Sequence, residues 1–145
     1  MVNPDLIAGS TPTADPRLAR MLDPRSIAVL GASTDPGKRG YQAVRALLAA
    51  GYRYPLHPVN PKGGSILGLP VARTIAEVPA PVDVALIATP ARTVPGVLGD
   101  CAAAGVAGAI VLANGFRESG PEGAALEAEL SRIAAETGIR VIGPN

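Results

Sequence analysis

Residues 26–40 read "SIAVLGASTDPGKRG": an apolar run, then a glycine-rich turn carrying two adjacent cations. Beyond the turn, Tyr41, Val44, Leu47 and Leu48 are spaced to share one face of a helix that stops at Gly51. A turn between a strand and a helix is a common phosphate site. The first amides of the helix lack partners within it, and the helix dipole is positive there. Gly31 allows the tight turn, Gly40 lets the helix approach the sheet, and Lys38 and Arg39 add positive charge. As a dinucleotide fingerprint the turn is poor. The pattern G-x-G-x-x-G needs glycine where Ser33 stands and has no room for the extra Asp35-Pro36-Gly37.

Outward from this stretch, strand-like and helix-like runs alternate. Residues 54–59 form a short second strand, and residues 62–81 a loop ending in a short helical piece around Thr74–Val78. "VDVALIA", Val82–Ala88, is apolar in the manner of a strand buried on both faces. A helix over Thr93–Ala104 follows, with Pro95 harmless in its first turn. "GAIVLA" is the next strand. Ser119 and Glu122 then make a capping box around Pro121 for a helix striped by Leu126, Leu130, Ile133, Ala134 and Thr137, which Gly138 ends. "IRVI" is the last strand. This alternation predicts an α/β fold: a Rossmann-like, doubly wound, mainly parallel sheet with helices on both faces, binding ligands at the carboxyl ends of its strands. Residues 1–16, rich in Pro, Thr, Ser and Asp, read as a flexible tail, and residues 17–145 as one domain.

Bulk composition agrees. The chain has 145 residues, 48% of them hydrophobic but only 3% aromatic, so small aliphatic side chains fill the core. Its net charge of +1 gives no footing for a dedicated nucleic-acid or membrane-surface protein. The charge is unevenly spread: residues 21–62 carry six basic and two acidic side chains, and residues 63–145 five and eight. A single cysteine, Cys101, excludes an internal disulfide framework and fits a reducing, cytoplasmic setting. The opening residues lack the basic and apolar regions of a signal peptide, and no apolar run reaches the length of a membrane span.

The rim loops after the strands read "GASTDPGKRG", "NPKGG", "TPAR" and "NGFRE". The second is the most informative. Enzymes that use NAD place a carboxylate at the end of the second strand for the ribose hydroxyls, whereas this chain has Asn60-Pro61-Lys62. A lysine there attracts a ribose phosphate, which points to NADP or to coenzyme A.

Five ordered blocks, "LDPRSIAVLGASTDPGKRG", "HPVNPK", "VDVALIATPA", "GFRESG" and "GIRVIGPN", carry a family resemblance over Leu22–Asn145. The chain resembles the CoA-binding domain of NDP-forming acyl-CoA synthetases, which is similar to that of the succinyl-CoA synthetase alpha subunit. The resemblance implies coenzyme A or an acyl-CoA as ligand. It implies that the first loop, Gly31, Ala32, Ser33, Lys38 and Arg39, wraps the CoA phosphates and that Lys62 meets the nucleotide end. Thr89 and Pro90 would line the adenine and pantetheine path, and Leu112, Ala113 and Asn114 the pantetheine end. It further implies that a chain of this length binds without catalysing. Phosphate transfer in such proteins uses a histidine in a later domain and an ATP-grasp domain, so downstream synthetase domains are expected as partners, in cis or in trans.

Other residues read as structural. His57, the only histidine, belongs to the second strand; Cys101 is a packed small hydrophobe; Glu118 is a helix-entry charge; and Tyr41, Tyr52 and Tyr54 are packing residues. No catalytic set and no metal-ligand spacing is evident. Two rival readings stay open: an NADP-binding domain of an oxidoreductase, and a regulatory module that senses CoA or a nucleotide.

Overall fold

The apolar runs become five parallel strands. A computed structural model, describing residues 15–144, places β1 at Ile27–Leu30, β2 at Leu56–Val59, β5 at Val84–Ile87, β6 at Gly108–Val111 and β7 at Arg140–Ile142. Strands β3 (Ser65–Ile66) and β4 (Leu69–Pro70) form a separate antiparallel hairpin. The main sheet runs β2-β1-β5-β6-β7. From β1 the chain moves out to β2, crosses back to β5 and continues outward, so its direction reverses between β1 and β5. Such a reversal opens a crevice at the carboxyl ends of the two strands. The register aligns those ends: Leu30 lies opposite Val59 and Ile87, and Ile87 opposite Val111.

Successive strand residues face opposite ways, which divides the core in two. One face, with Ile27, Val29 and Val84, packs against Val44 of α2 (Arg39–Ala49) and Met21 of α1 (Pro16–Leu22). The other, with Ala28, Leu30, Ala85, Ile87, Ala109 and Val111, receives Leu98 and Cys101 of α3 (Val94–Ala103) and Leu130 of α4 (Pro121–Thr137). Helices thus cover both faces. The three alanines let α3 and α4 lie close, while Leu98 and Phe116, fully buried, each contribute on the order of 2 kcal/mol of apolar burial.

Four details differ from the sequence reading. Leu48 is 41% exposed, because α2 meets the sheet through Gly40, Val44 and Leu47, a narrower stripe. The capping box does not form. Ser119 lies in a 3-10 turn, Arg117–Ser119, with its amide donating to the Phe116 carbonyl at 2.8 Å, and α4 is entered through Gly120 at φ 102°. The expected loop over 62–81 contains the β3–β4 hairpin, whose turn, Leu67-Gly68, has φ of 50° and 82°. Finally, α1 is a helix that the periodicity did not reveal. The Asp15 side chain caps it by accepting from the Arg17 amide; Arg20 anchors it to buried Asp83 at 2.6 Å, and Met21 fills the space over Gly108. The expected tail falls mainly on residues 1–14, which lie outside the described residues. None of the described helices is long and apolar enough to cross a membrane.

Candidate functional site

A cleft of about 870 Å³ opens at the carboxyl ends of β1, β2 and β5. Its floor is set by glycine. At Gly31 the backbone turns with φ 83°, and a Cβ there would stand 2.9 Å from the Ala88 carbonyl carbon and the Thr89 nitrogen. Gly40 sits against the Gly31 carbonyl so closely that any side chain would collide with it. These two contacts press the amino end of α2 into the crevice. No side chain caps that end, so its first amides remain available to an anion.

The loop following β1 is stapled at several points. The Gly31 and Ala32 amides both donate to the Val59 carbonyl, at 3.1 and 3.2 Å, and the Asn60 side-chain amide donates to the Ala32 carbonyl at 2.8 Å. Ser33 Oγ accepts from the Asp35 amide and Asp35 from the Gly37 amide, which shapes the three-residue extension. The turn after β2 is held in the same way, with Asn60 Oδ1 accepting from the Lys62 amide at 2.9 Å.

Ten of the eleven residues singled out in the sequence line this one cleft: Gly31, Ala32, Ser33, Lys38, Arg39, Lys62, Thr89, Pro90, Ala113 and Asn114. Leu112 does not; its carbonyl instead accepts from the Arg39 guanidinium, which also reaches Asn114 Oδ1 at 3.3 Å. Arg39 therefore ties the start of α2 to the loop after β6. Thr89 Oγ1 is buried in the cleft wall with no hydrogen-bond partner.

Sequence reasoning missed Asn60, which had only a place in the "NPK" block, and Arg73, Thr74, Ile75 and Asp100. Arg73 reaches the cleft because the hairpin returns beside β2: Ala72 donates to the Pro58 carbonyl at 3.0 Å, and the Asn60 amide to the Ala72 carbonyl at 2.9 Å. No motif announces that pairing.

The ion pairs sharpen the picture. Among the described residues, Arg20, Arg117, Arg132 and Arg140 are engaged with carboxylates, whereas Lys38, Arg39, Lys62 and Arg73 form no salt bridge, and neither do Arg17, Arg25, Arg45, Arg53 and Arg92 outside this cleft. Four basic side chains without a carboxylate partner line one cleft that holds a single carboxylate, Asp100, and the uncapped start of α2 borders the same space. This donor set fits a polyanion carrying phosphate groups. A larger cavity, about 1220 Å³, lies between α1, α4 and β7; its Arg20 and Arg140 are paired with Asp83 and Asp15, which leaves Arg17 as its one basic residue without a carboxylate partner among the described residues. The smaller cleft gathers more such basic residues than the larger one.

Residues expected to be structural have structural surroundings. Cys101 is fully buried, and burial pushes its thiol up to about 12. His57 is half-buried in β2, away from the cleft, and burial lowers its pKa. Glu118 accepts the Gly115 and Phe116 amides at 2.6 and 3.2 Å, and these bonds, Gly115's foremost, hold its carboxyl below the usual range. It pins the loop before α4. The Tyr52 hydroxyl donates to the Pro24 carbonyl, and its ring meets Tyr54 edge to face at 5.8 Å. Among the described residues no cluster of three or more His, Cys, Asp or Glu is placed to hold a metal.

Comparison with known proteins agrees with this donor set. Residues 25–145 match a family model described as a CoA binding domain. The chain is 42% identical over 130 residues to acetate–CoA ligase [ADP-forming] II of Archaeoglobus fulgidus, covering 90% of this chain and 19% of that protein. It is 40% identical over 132 residues to the alpha subunit of acetate–CoA ligase [ADP-forming] I of Pyrococcus furiosus, covering 88% and 29%. Among solved structures, the dinucleotide-forming acetyl-coenzyme A synthetase 1 of Ca. Korarchaeum cryptofilum, in complex with phosphate and ADP, superposes with a TM-score of 0.83 at 44% identity, over 88% of this chain and 27% of that one. The chain thus spans less than a third of the length of these relatives.

Proposed function

This chain belongs to the CoA-binding domain family, and on that premise we propose that its cleft holds coenzyme A or an acyl-CoA by the phosphates and presents the thiol to other domains of an ADP-forming acyl-CoA synthetase-like protein. The amino end of α2, with Lys38, takes the pyrophosphate, Arg39 braces that helix start against the loop after β6, and Lys62 takes the ribose 3′-phosphate. Thr89 and Pro90 border the adenine and the start of the pantetheine; Ala113 and Asn114 border its far end, where the Leu112 carbonyl is occupied by Arg39.

The observation that carries this reading is the gathering of four basic side chains without a carboxylate partner and an uncapped helix start in one cleft. Each charge-assisted bond to phosphate contributes on the order of 1.5–3 kcal/mol. The chain's own residues bind and orient; among the described residues that line the cleft, none is arranged as a nucleophile or a general base. Bond-making therefore falls to partner domains, an ATP-grasp domain and a phosphohistidine domain, in cis or in trans. The cytoplasm is the setting proposed with this reading, and a sole, buried cysteine is compatible with it.

Titration calorimetry tests the proposal. CoA and acetyl-CoA should each give saturable heat, and NADPH none. Silence from both thioester-carrier ligands at millimolar concentration overturns it, and an NADPH fluorescence response in their place reassigns the cleft to hydride-transfer cofactors.

A further inference from the structure

Resting on the proposed CoA site, the geometry points to Arg73 as a second phosphate-recognising residue, paired with Lys62 in a two-cation subsite for a ribose phosphomonoester. Lys62 alone is a compact point charge, able to attract a phosphate but not to fix its orientation. Arg73 supplies a planar fork suited to two oxygens of a phosphate dianion.

Several observations place the two together. The hairpin returns along β2 through the paired bonds of Ala72 with Pro58 and Asn60, which set Arg73 beside the Asn60–Lys62 turn. The Arg73 side chain lies along Gly63, the residue after Lys62: a Cβ built on Gly63 would meet Arg73 Nε at 3.4 Å and its Cγ and Cζ at 3.7 Å. A larger residue at position 63 would crowd the guanidinium away. Glu77, the carboxylate nearest in sequence, accepts the Arg73 backbone amide at 2.9 Å and forms no salt bridge with its side chain. Lys62, Gly63, Arg73 and Thr74 all line the cleft, and Lys62 and Arg73 are both exposed there.

The consequence is discrimination. A ligand with a terminal ribose phosphate satisfies both cations, whereas the same ligand without it leaves them solvated. The subsite selects for the phosphomonoester and is indifferent to the pantetheine.

Calorimetry on the full chain with CoA, dephospho-CoA and adenosine 3′,5′-bisphosphate is the test. Arg73→Ala should weaken CoA and the bisphosphate about ten-fold or more, the loss of one charge-assisted contact, and dephospho-CoA less than two-fold. Arg73→Lys should recover only part of the loss, because it restores charge without the fork. Thermal unfolding run in parallel confirms that the variants fold, as expected for an exposed side chain. Equal losses for CoA and dephospho-CoA, or no loss for either, overturn the role of Arg73. If the unaltered chain binds none of the three ligands, the CoA reading itself fails, an outcome distinct from either of those.

Discussion

The side-chain amide of Asn60 donates to the Ala32 carbonyl at 2.8 Å, joining the turn after β2 to the glycine loop after β1. On its other side Asn60 accepts from the Lys62 amide, so one side chain sets the relative position of the loop proposed to hold the pyrophosphate and the lysine proposed to meet the ribose phosphate. Asparagine does this because it carries a donor and an acceptor on one planar group.

Asn60→Asp removes the donor and keeps the acceptor. It faces a carboxylate toward the Ala32 carbonyl and places negative charge beside Lys62. The expected cost is about 1–3 kcal/mol of stability from the lost bond and the stranded carbonyl, read by urea unfolding. CoA affinity should fall about ten-fold or more, with Asn60→Ala losing less because it adds no charge. Unchanged affinity in the aspartate variant would mean that the ribose phosphate lies elsewhere.

Gly40→Ala is the severe test of the helix placement. Its Cβ would overlap the Gly31 carbonyl oxygen and come within 2.8 Å of the Gly31 carbonyl carbon and 3.0 Å of Ala32 Cα, all backbone atoms that cannot swing aside. Helix α2 would have to back away from β1. A stability loss of about 3 kcal/mol or more is expected, along with loss of CoA binding as the helix amides leave the cleft. A variant with a native unfolding midpoint would show that α2 does not approach the sheet at this point.

Leu67 offers the opposite sign. It is a leucine at φ 50° in a two-residue hairpin turn with Gly68 at 82°, and its side chain is 44% exposed. Turns with both central residues at positive φ favour Asn-Gly. Leu67→Asn should raise stability by about 0.5–1 kcal/mol, measured by urea unfolding, and leave CoA affinity unchanged, since Leu67 does not line the cleft. A lower midpoint would mean that the leucine makes contacts worth more than its backbone strain.

What the sequence disclosed and what it withheld follow from the range of the interactions. The strands were legible because parallel strands covered on both faces must be continuous apolar runs, as "VALI" and "GAIV" are. Most of the cleft was legible because doubly wound sheets gather their loops at the carboxyl ends. Helix α1 was not, since it has no fully buried residue and depends on contacts such as Arg20 with Asp83, 63 positions away. Arg73 was hidden for a similar reason: two-residue strands give no periodic signal, and only the pairing of Val59 with Ala72 brings it to the cleft. The capping box matched its pattern, yet Gly123 packs so tightly on the Phe116 carbonyl that the chain enters α4 through Gly120.

Cys101 supplies the last test, of core packing on the α3 face. Burial, which disfavours the thiolate, pushes its thiol from an ordinary 9.0 up to about 12, with the Asp100 charge adding to the shift. Between those two pH values the unfolded state gives up the proton and the folded state keeps it, so the unfolded state binds fewer protons and stability falls as pH rises. Below pH 9 the contribution is complete. Replacing Cys101 with alanine should cost about 1–2 kcal/mol at neutral pH through lost packing, and should flatten the decline in stability over the alkaline window. Thiol-reactive reagents should label the native chain at pH 8 far more slowly than the urea-unfolded chain, since the buried group offers neither access nor thiolate. Rapid native labelling would place the thiol at a surface and with it undo the packing of α3 on β5 and β6.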